Sequence, residues 1–185
     1  DAHGTVVRPR TVQRPRPDVW VGAMSPAGAR RAGRFGLPLL CDPLSTITEL
    51  EALVDIYRAT AQDAGHTPRV ILMRWGWVGE GLDAWWRHVR EALWSYMVEI
   101  PRVRASAASA DALTLDAAAP ERLAVGEARH VGVLLRDWAR RLGAERIVIK
   151  LQGATGPWGE ELRDAVRRYG SDVISASAPA LSGPS

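Results

Sequence analysis

The chain has 185 residues, 46% of them hydrophobic and 24% charged, which is typical of a single soluble globular domain. No apolar run approaches the roughly 20 residues of a membrane helix. No signal-peptide pattern opens the chain, and its single cysteine excludes an internal disulfide, so we expect a cytoplasmic protein with no membrane partner. The pI is about 9.6, but the net charge is only +3 and most basic residues alternate with acidic ones. We therefore expect no nucleic-acid partner.

Both ends of the chain read as irregular. Residues 1–17 are rich in Pro and Arg, and alternating prolines disfavour a helix, so this segment is predicted to be an extended arm leading into the first strand. Residues 175–185 are mostly small residues and Pro, which predicts a loose tail. The globular domain should therefore end near residue 174.

After the arm, the sequence reads as a buried strand, a tight turn and a helix. The strand begins at Val19, the turn is Gly22-Ala23-Met24-Ser25-Pro26, Ser25 is placed to cap the helix, and Pro26 suits its first position. We expect the amides of Met24, Ser25 and Gly28 to face an anion, because a helix N-terminus beyond a strand binds phosphate. A plain strand-to-helix connection without a ligand is an equally good interpretation of this segment.

The remaining elements continue to alternate between strand and helix. Thr46 and Glu49 form a capping box, and Gly65 and Gly143 are placed to end helices. The predicted elements are a strand at 35–40, a helix at 46–64, a strand at 69–75, a helix at 83–98, an insertion at 101–124, a helix at 129–142, a strand at 146–152 and a helix at 157–169.

Such alternation predicts a parallel sheet with right-handed crossovers, either open and doubly wound or part of a barrel. Lys150 and Gln152 share one face of the last strand, and isoleucines and a leucine occupy the other. One apolar and one partly polar face favour a barrel whose lumen carries a site, because both faces of an open sheet would be dry. We therefore predict that Arg74, Lys150 and Gln152 point into the lumen. The alternative for Lys150 is a solvated charge at the barrel rim.

Other candidate chemistry has simpler interpretations. The tryptophans of helix 83–98 recur at helical spacing, with Trp86 in phase with Val89, Leu93 and Met97, and are interpreted as packing residues. Cys41 has no nearby base and reads as a buried small hydrophobe, while Asp42 should begin a turn. Residues 153–156 could be a second phosphate loop but read as a turn. The four histidines are scattered, so we expect no metal site.

Several segments in order resemble the C-terminal half of the luciferase-like monooxygenases, the bacterial luciferase superfamily of TIM barrels. The resemblance covers nearly the whole chain and depends on the order and spacing of its segments. They are residues 15–23, 35–38, 64–66, 94–96, 124–126, 142–144 and 169–173.

The resemblance implies an α/β half-barrel over residues 1–174, containing only strands five to eight, and a flavin- or F420-dependent oxidoreductase acting on a small-molecule substrate. Family members use FMN or coenzyme F420 and hold the cofactor phosphate at the turn after the fifth strand. That turn maps onto Gly22, Ala23, Met24, Ser25 and Gly28.

The same resemblance leaves the first four strands and their catalytic residues without a counterpart, so no catalytic residue is assigned. The chain also has Glu127-Ala128-Arg129 where the family usually has Thr-Pro-Glu. We expect a homodimer or an N-terminal half-barrel to complete the fold, because four strands leave two sheet edges unpaired. The alternative is a non-catalytic half-barrel module that pairs with a partner chain.

Overall fold

Strands and helices alternate along the chain in the computed structural model, which describes residues 12–14, 17–97 and 109–174. The elements are β1 (Val21–Ala23), α1 (Pro26–Arg34), β2 (Leu39–Cys41), α2 (Ile47–Asp63), β3 (Val70–Val78), α3 (Leu82–Met97), α4 (Leu115–Ala118), β4 (Leu123–Gly126), α5 (Ala128–Leu142), β5 (Ala144–Lys150) and α6 (Gly159–Arg168). A 3-10 turn (Ala110–Ala112) precedes α4, and a π-helical turn (Tyr169–Ile174) follows α6. The predicted tail lies outside the described residues, as does the arm apart from residues 12–14 and 17.

All strand pairs are parallel, and β3 lies at the centre of the sheet. Ile71 and Leu72 pair with both β2 and β5, so these two strands lie on opposite edges of β3. Together with β1, which pairs with β2, they give the four predicted barrel strands in the order β1-β2-β3-β5. The predicted fold class, a partial (β/α) barrel with flanking helices, is confirmed.

A fifth strand, β4, was not predicted. It pairs with the last four residues of β3, beyond the reach of β2 and on the same edge. The sequence analysis placed its first two residues in an insertion because a four-residue strand has too little alternation to be recognised. Because β3 extends beyond the end of β2, its last four residues are available to pair with β4.

The helix boundaries follow the predicted capping residues closely. The Ser25 hydroxyl accepts a hydrogen bond from the Gly28 amide, and Thr46 and Glu49 form the full capping box of α2. Gly65 and Gly143 adopt φ angles of +74° and +52° just beyond α2 and α5. Left-handed backbone of this kind is easiest for glycine. The predicted starts and ends of these helices are confirmed.

The sheet has an outer face covered by helices and an inner face opposite to it. On the outer face, Leu39, Cys41, Val70 and Leu72 pack in one buried cluster with α1, α2 and α5. The five predicted inward residues of α2 are all buried: Ile47, Leu50, Val54, Tyr57 and Ala61. Side chains alternate along a strand, so the residues between these positions face inward.

Side chains from the first and last barrel strands meet at the N-terminal end of the inner face. The guanidinium carbon of Arg146 on β5 lies 6.0 Å from the ring centroid of Trp20, which precedes β1. Arg69 forms ion pairs with Asp18 (3.6 Å) and Glu145 (2.8 Å), again linking the approaches to β1 and β5. Two intervening strands separate β1 from β5, so these contacts require a strongly curved sheet.

Tryptophans fill the inner side of the C-terminal part of β3. Trp77 stacks on Trp85 of α3 with their ring centroids 6.2 Å apart, and the Trp85 indole donates to the Leu151 carbonyl at 2.8 Å. Trp75, Trp77, Trp85 and Trp86 are all buried in this cluster, which confirms the packing interpretation. The side chain of Met97 lies outside the described residues. No described helix is long and apolar enough to cross a membrane.

Candidate functional site

A cavity of about 200 Å³ lies beside the C-terminal ends of β1, β2 and β5 and the middle of β3. It is lined by Met24, Asp42, Pro43, Leu44, Met73, Trp75 and Lys150. Met24 and Asp42 directly follow β1 and β2, while Met73 and Trp75 belong to β3 and Lys150 ends β5. Enzymes with (β/α) barrels carry their active sites at this end of the strands, so the cavity is the candidate functional site.

Asp42 forms one wall of the cavity by starting a tight turn, as predicted. Its Oδ1 atom accepts hydrogen bonds from the amides of Leu44 (2.9 Å) and Ser45 (2.8 Å). Its other carboxylate oxygen, Oδ2, is buried and has no hydrogen-bond partner among the described residues. The turn therefore uses only half of the accepting capacity of the carboxylate.

Lys150 supplies the only cationic side chain among the residues that line the cavity. Its ammonium nitrogen lies 4.1 Å from the centroid of the Trp75 ring, within the range of a favourable cation–π interaction. Burial lowers the pKa of the Lys150 ammonium, because the charged form loses hydration. The structure thus places Lys150 on the inner face, as predicted. The other walls are largely apolar.

Arg74 does not share this position, and the prediction that it points into the lumen is wrong. It alternates in phase with Val70 and Leu72, so its side chain lies on the outer face, fully buried beneath α5. Its guanidinium carbon lies 5.5 Å from the ring centroid of Trp138 on that helix. The polar nature of the residue suggested a lumen position, whereas the strand alternation correctly predicts the outer face. Gln152, which follows β5, is half-buried and does not line the cavity.

The turn between β1 and α1 adjoins the cavity through Met24. Ser25 has extended backbone, and its hydroxyl accepts from the Gly28 amide at 3.3 Å. Gly22 faces inward, and a Cβ atom there would meet nothing within 4 Å. Met24 is 59% exposed and lines the cavity. The residue before the helix N-cap therefore lines the cavity. An anion that bonds to the Gly28 amide would share that amide with the Ser25 hydroxyl.

Two other candidates from the sequence have structural roles. Cys41 is fully buried on the outer face, and burial raises the pKa of its thiol to about 12, so the thiol stays protonated. In residues 153–156, the Gly153 amide donates to the Gly156 carbonyl (2.8 Å) and the Thr155 hydroxyl to the His88 carbonyl (2.6 Å). This segment is a closed turn held against α3, as predicted. Within the described ranges, no three His, Cys, Asp or Glu residues could together hold a metal.

Most of the cavity lining was not predicted from the sequence. Asp42 was expected to begin a turn, and Met73 and Trp75 were not assigned to a site. The alternation of β3 combined with the position of each strand's C-terminal end would have identified them.

Comparison with known proteins decides the family. A sequence model described as luciferase-like monooxygenase matches residues 1–171. The chain belongs to the luciferase-like monooxygenase family. No match is found among curated proteins.

Several solved structures share the fold of this luciferase-like chain. Monooxygenase RslO1 from Streptomyces bottropensis is 22% identical, with a TM-score of 0.63, and the match covers 92% of this chain and 51% of that one. The oxygenating constituent of 3,6-diketocamphane monooxygenase from Pseudomonas putida, in complex with FMN, is 16% identical with a TM-score of 0.64, covering 89% and 50%. The coenzyme F420-dependent tetrahydromethanopterin reductase from Methanopyrus kandleri is 17% identical with a TM-score of 0.61, covering 86% and 50%.

The luciferase-like chain spans about half the length of each of these structures. Their similarity to it establishes the fold. It also shows that the matched unit in each relative is accompanied by roughly as much chain again.

Proposed function

We propose that this chain forms half of a flavin- or F420-dependent oxidoreductase, with the cofactor phosphate at the β1–α1 turn and the ring system in the adjoining cavity. The observation that carries the proposal is that Met24 belongs to the turn and lines the cavity, which makes the two neighbours. Family membership supports the cofactor class, because one relative contains FMN and another depends on F420.

The residues present fit a cofactor that has a phosphate at one end and a planar ring at the other. The α1 N-terminus offers amide donors and the positive end of a helix dipole to the phosphate. In the cavity, apolar walls suit a ring, and the Lys150 ammonium suits negative charge on it. The proposed contacts at the turn are Gly22, Ala23, Met24, Ser25 and Gly28. Gln152, two residues beyond Lys150, remains a predicted contact, whereas Arg74 is excluded from direct contact by its position.

When bound, the cofactor supplies either oxygen activation at a reduced isoalloxazine ring or hydride transfer. This chain would bind the phosphate, hold the ring beside Met73 and Trp75, and exclude water from the cavity. Lys150 would hold a positive charge beside the ring, where it favours electron-rich forms. No residue of the described ranges is assigned to proton transfer.

Open sheet edges support the proposal that a further half-barrel completes this site. In the described sheet, β1 pairs only with β2 and β5 only with β3, so each leaves one edge open. Beside the open edge of β5, a second cavity of about 330 Å³ lies on the outer face and is lined almost entirely by apolar atoms. It includes Ile147, which is 37% exposed, and Ile174, which is 66% exposed. A second copy or an N-terminal half-barrel would cover these groups. The same open edges favour the second candidate, a non-catalytic half-barrel that only assembles with a partner.

Titration with FMN and with F420, followed by tryptophan fluorescence, tests the proposal. Ser25→Glu should abolish binding by placing a carboxylate at the phosphate position. Ser25→Ala should lose about 1 kcal/mol of stability with the helix cap and retain binding. Ser109→Glu is a matched control, because Ser109 caps the 3-10 turn with a bond of the same 3.3 Å length.

If Ser25→Glu binds either cofactor as well as the parent, the phosphate site is elsewhere. If the parent binds neither cofactor even after a second half-barrel is supplied, the non-catalytic module is the better assignment.

A further inference from the structure

Arg74 lies on the outer face of the sheet, on the side opposite to the candidate cavity, and contacts the backbone of two residues that line the cavity. Its side chain is fully buried on the outer face of β3. Its Nη1 atom donates to the Asp42 carbonyl at 2.8 Å and to the Met73 carbonyl at 3.1 Å. Asp42 and Met73 both line the cavity. Arg74 thus joins the end of β2 to the middle of β3 without reaching the cavity itself.

Asp42 is the first residue after β2 and begins the turn. A hydrogen bond to its carbonyl therefore restrains the position of the residues that follow. The carboxylate of the same residue holds the amides of Leu44 and Ser45. Farther along the turn, the Nε atom of Arg122 donates to the Leu44 carbonyl at 3.0 Å. Residues 42–44, which we call the 42–44 wall, are therefore held by two arginines and by their own aspartate.

Burying a charged arginine at this position costs free energy of folding, so stability alone does not explain the residue. Burial lowers the pKa of the Arg74 guanidinium to about 10, partly opposed by the nearby Asp42 charge, so it remains charged at neutral pH. Its Nε and Nη2 atoms have no hydrogen-bond partner among the described residues. A well-packed apolar side chain of similar volume often serves stability as well as a buried charge. The charge-assisted bond to Asp42 is what an apolar residue would not provide.

We propose that Arg74 is a positioning residue that fixes the 42–44 wall of the cavity from the outer face of the sheet. Which ligand binds against this wall rests on the proposed function. The positioning of the wall by Arg74 does not rest on it, and can be measured without any ligand.

Cys41 provides a direct measurement, because it is the only cysteine, is fully buried and precedes Asp42. Labelling by 5,5′-dithiobis(2-nitrobenzoate) in native buffer reports opening of this segment. Arg74→Met should raise the labelling rate at least tenfold above the rate that its global unfolding equilibrium allows. Arg74→Lys, which keeps a donor for the carbonyl, should retain most of the protection. The matched control is Arg58→Met, because Arg58 also donates to a carbonyl, that of Leu142 at 2.6 Å, and its charge, like that of Arg74, lowers the pKa of the Cys41 thiol. The control therefore accounts for the loss of a positive charge near the thiol. Its labelling should follow global stability.

Labelling of Arg74→Met that follows global unfolding, as in Arg58→Met, would make Arg74 a stabilising residue only and overturn the proposal. Loss of protection in Arg74→Lys equal to that in Arg74→Met would also overturn it. If Arg74→Met does not fold, Arg74→Gln replaces it, and hydrogen exchange of the Leu44 and Ser45 amides is compared with the parent at known global stability. Faster exchange of these amides through local opening in Arg74→Gln supports the proposal, and exchange that only follows global unfolding in both proteins overturns it.

A titration of the same variants with FMN separates this proposal from the proposed function. Weaker binding in Arg74→Met and recovery in Arg74→Lys would support both proposals. If the parent binds neither FMN nor F420 even after a second half-barrel is supplied, the proposed function fails, and the thiol and exchange results still decide the role of Arg74.

Discussion

Gly28 allows α1 to approach β1 closely at the turn proposed to hold the cofactor phosphate. A Cβ atom added at this position would lie 2.9 Å from the Cβ of Ala23 and 3.5 Å from the Ser25 hydroxyl oxygen. Ala23 is 5% exposed and belongs to β1, so it has no rotamer by which to move aside. Normal carbon–carbon contact would require the helix and the strand to separate by roughly 0.5 Å.

Two opposing effects determine the result of Gly28→Ala. Alanine gains about 1 kcal/mol over glycine inside a helix, whereas overpacking a close contact costs about 1–3 kcal/mol. We expect a net destabilisation of about 1 kcal/mol. We also expect weaker cofactor binding, because the Gly28 amide moves with the helix.

Urea unfolding at a fixed protein concentration measures this change, since assembly makes stability depend on concentration. Gly22→Ala is the matched control for stability, because a Cβ there meets nothing within 4 Å. It should be neutral or slightly stabilising through the unfolded chain. If Gly28→Ala instead stabilises the protein by about 1 kcal/mol, as at an unobstructed helix position, the close approach of α1 to β1 does not exist.

Two further predictions concern pH and assembly. Glu51 bonds to Arg141 through two hydrogen bonds of 2.8 and 3.0 Å, and this pairing lowers the pKa of the Glu51 carboxyl. A lowered folded-state pKa gives stability that is present above the unfolded pKa and is lost as the pH falls through the folded one. Glu51→Gln should therefore flatten the acid limb of a plot of unfolding free energy against pH, and an unchanged limb would show that the pair contributes nothing. In size exclusion coupled to light scattering, the isolated chain should form dimers or larger species, and a stable monomer at 20.2 kDa would mean that its edges are covered.

Much of this fold is predictable because its helices carry local signals. The inward stripe of α2, its capping box and Gly65 all lie within one continuous segment, and each agrees with the others. The alternation of strand and helix then restricts the sheet to parallel pairing. By contrast, β4 forms because β3 extends beyond β2, and no property of residues 123–126 alone indicates that partner.

The candidate site was only partly predictable, because residue type and strand phase disagree at Arg74. A charged residue on a strand suggests a polar lumen, yet its phase with Leu72 places it under α5, where it bonds to a carbonyl and lies against Trp138. For Lys150, the charge and the strand phase both predict the lumen, and the residue lines the cavity. The position of a charged residue in a barrel strand is therefore better predicted from the phase of its apolar neighbours than from its charge.

The two ends of the inner face differ in how completely their polar groups are paired. At the N-terminal end, Arg69 pairs with Asp18 and Glu145, and Arg146 lies over Trp20, so the linked charges hold β1 and β5 together. At the C-terminal end, the cavity is lined by residues whose buried Asp42 Oδ2 and Trp75 Nε1 atoms have no partner among the described residues. Barrels generally use the first end for stability and the second for ligands. Because unpaired buried polar atoms cost stability unless something bonds to them, this contrast supports the proposal that a ligand binds in the cavity beside the β1–α1 turn.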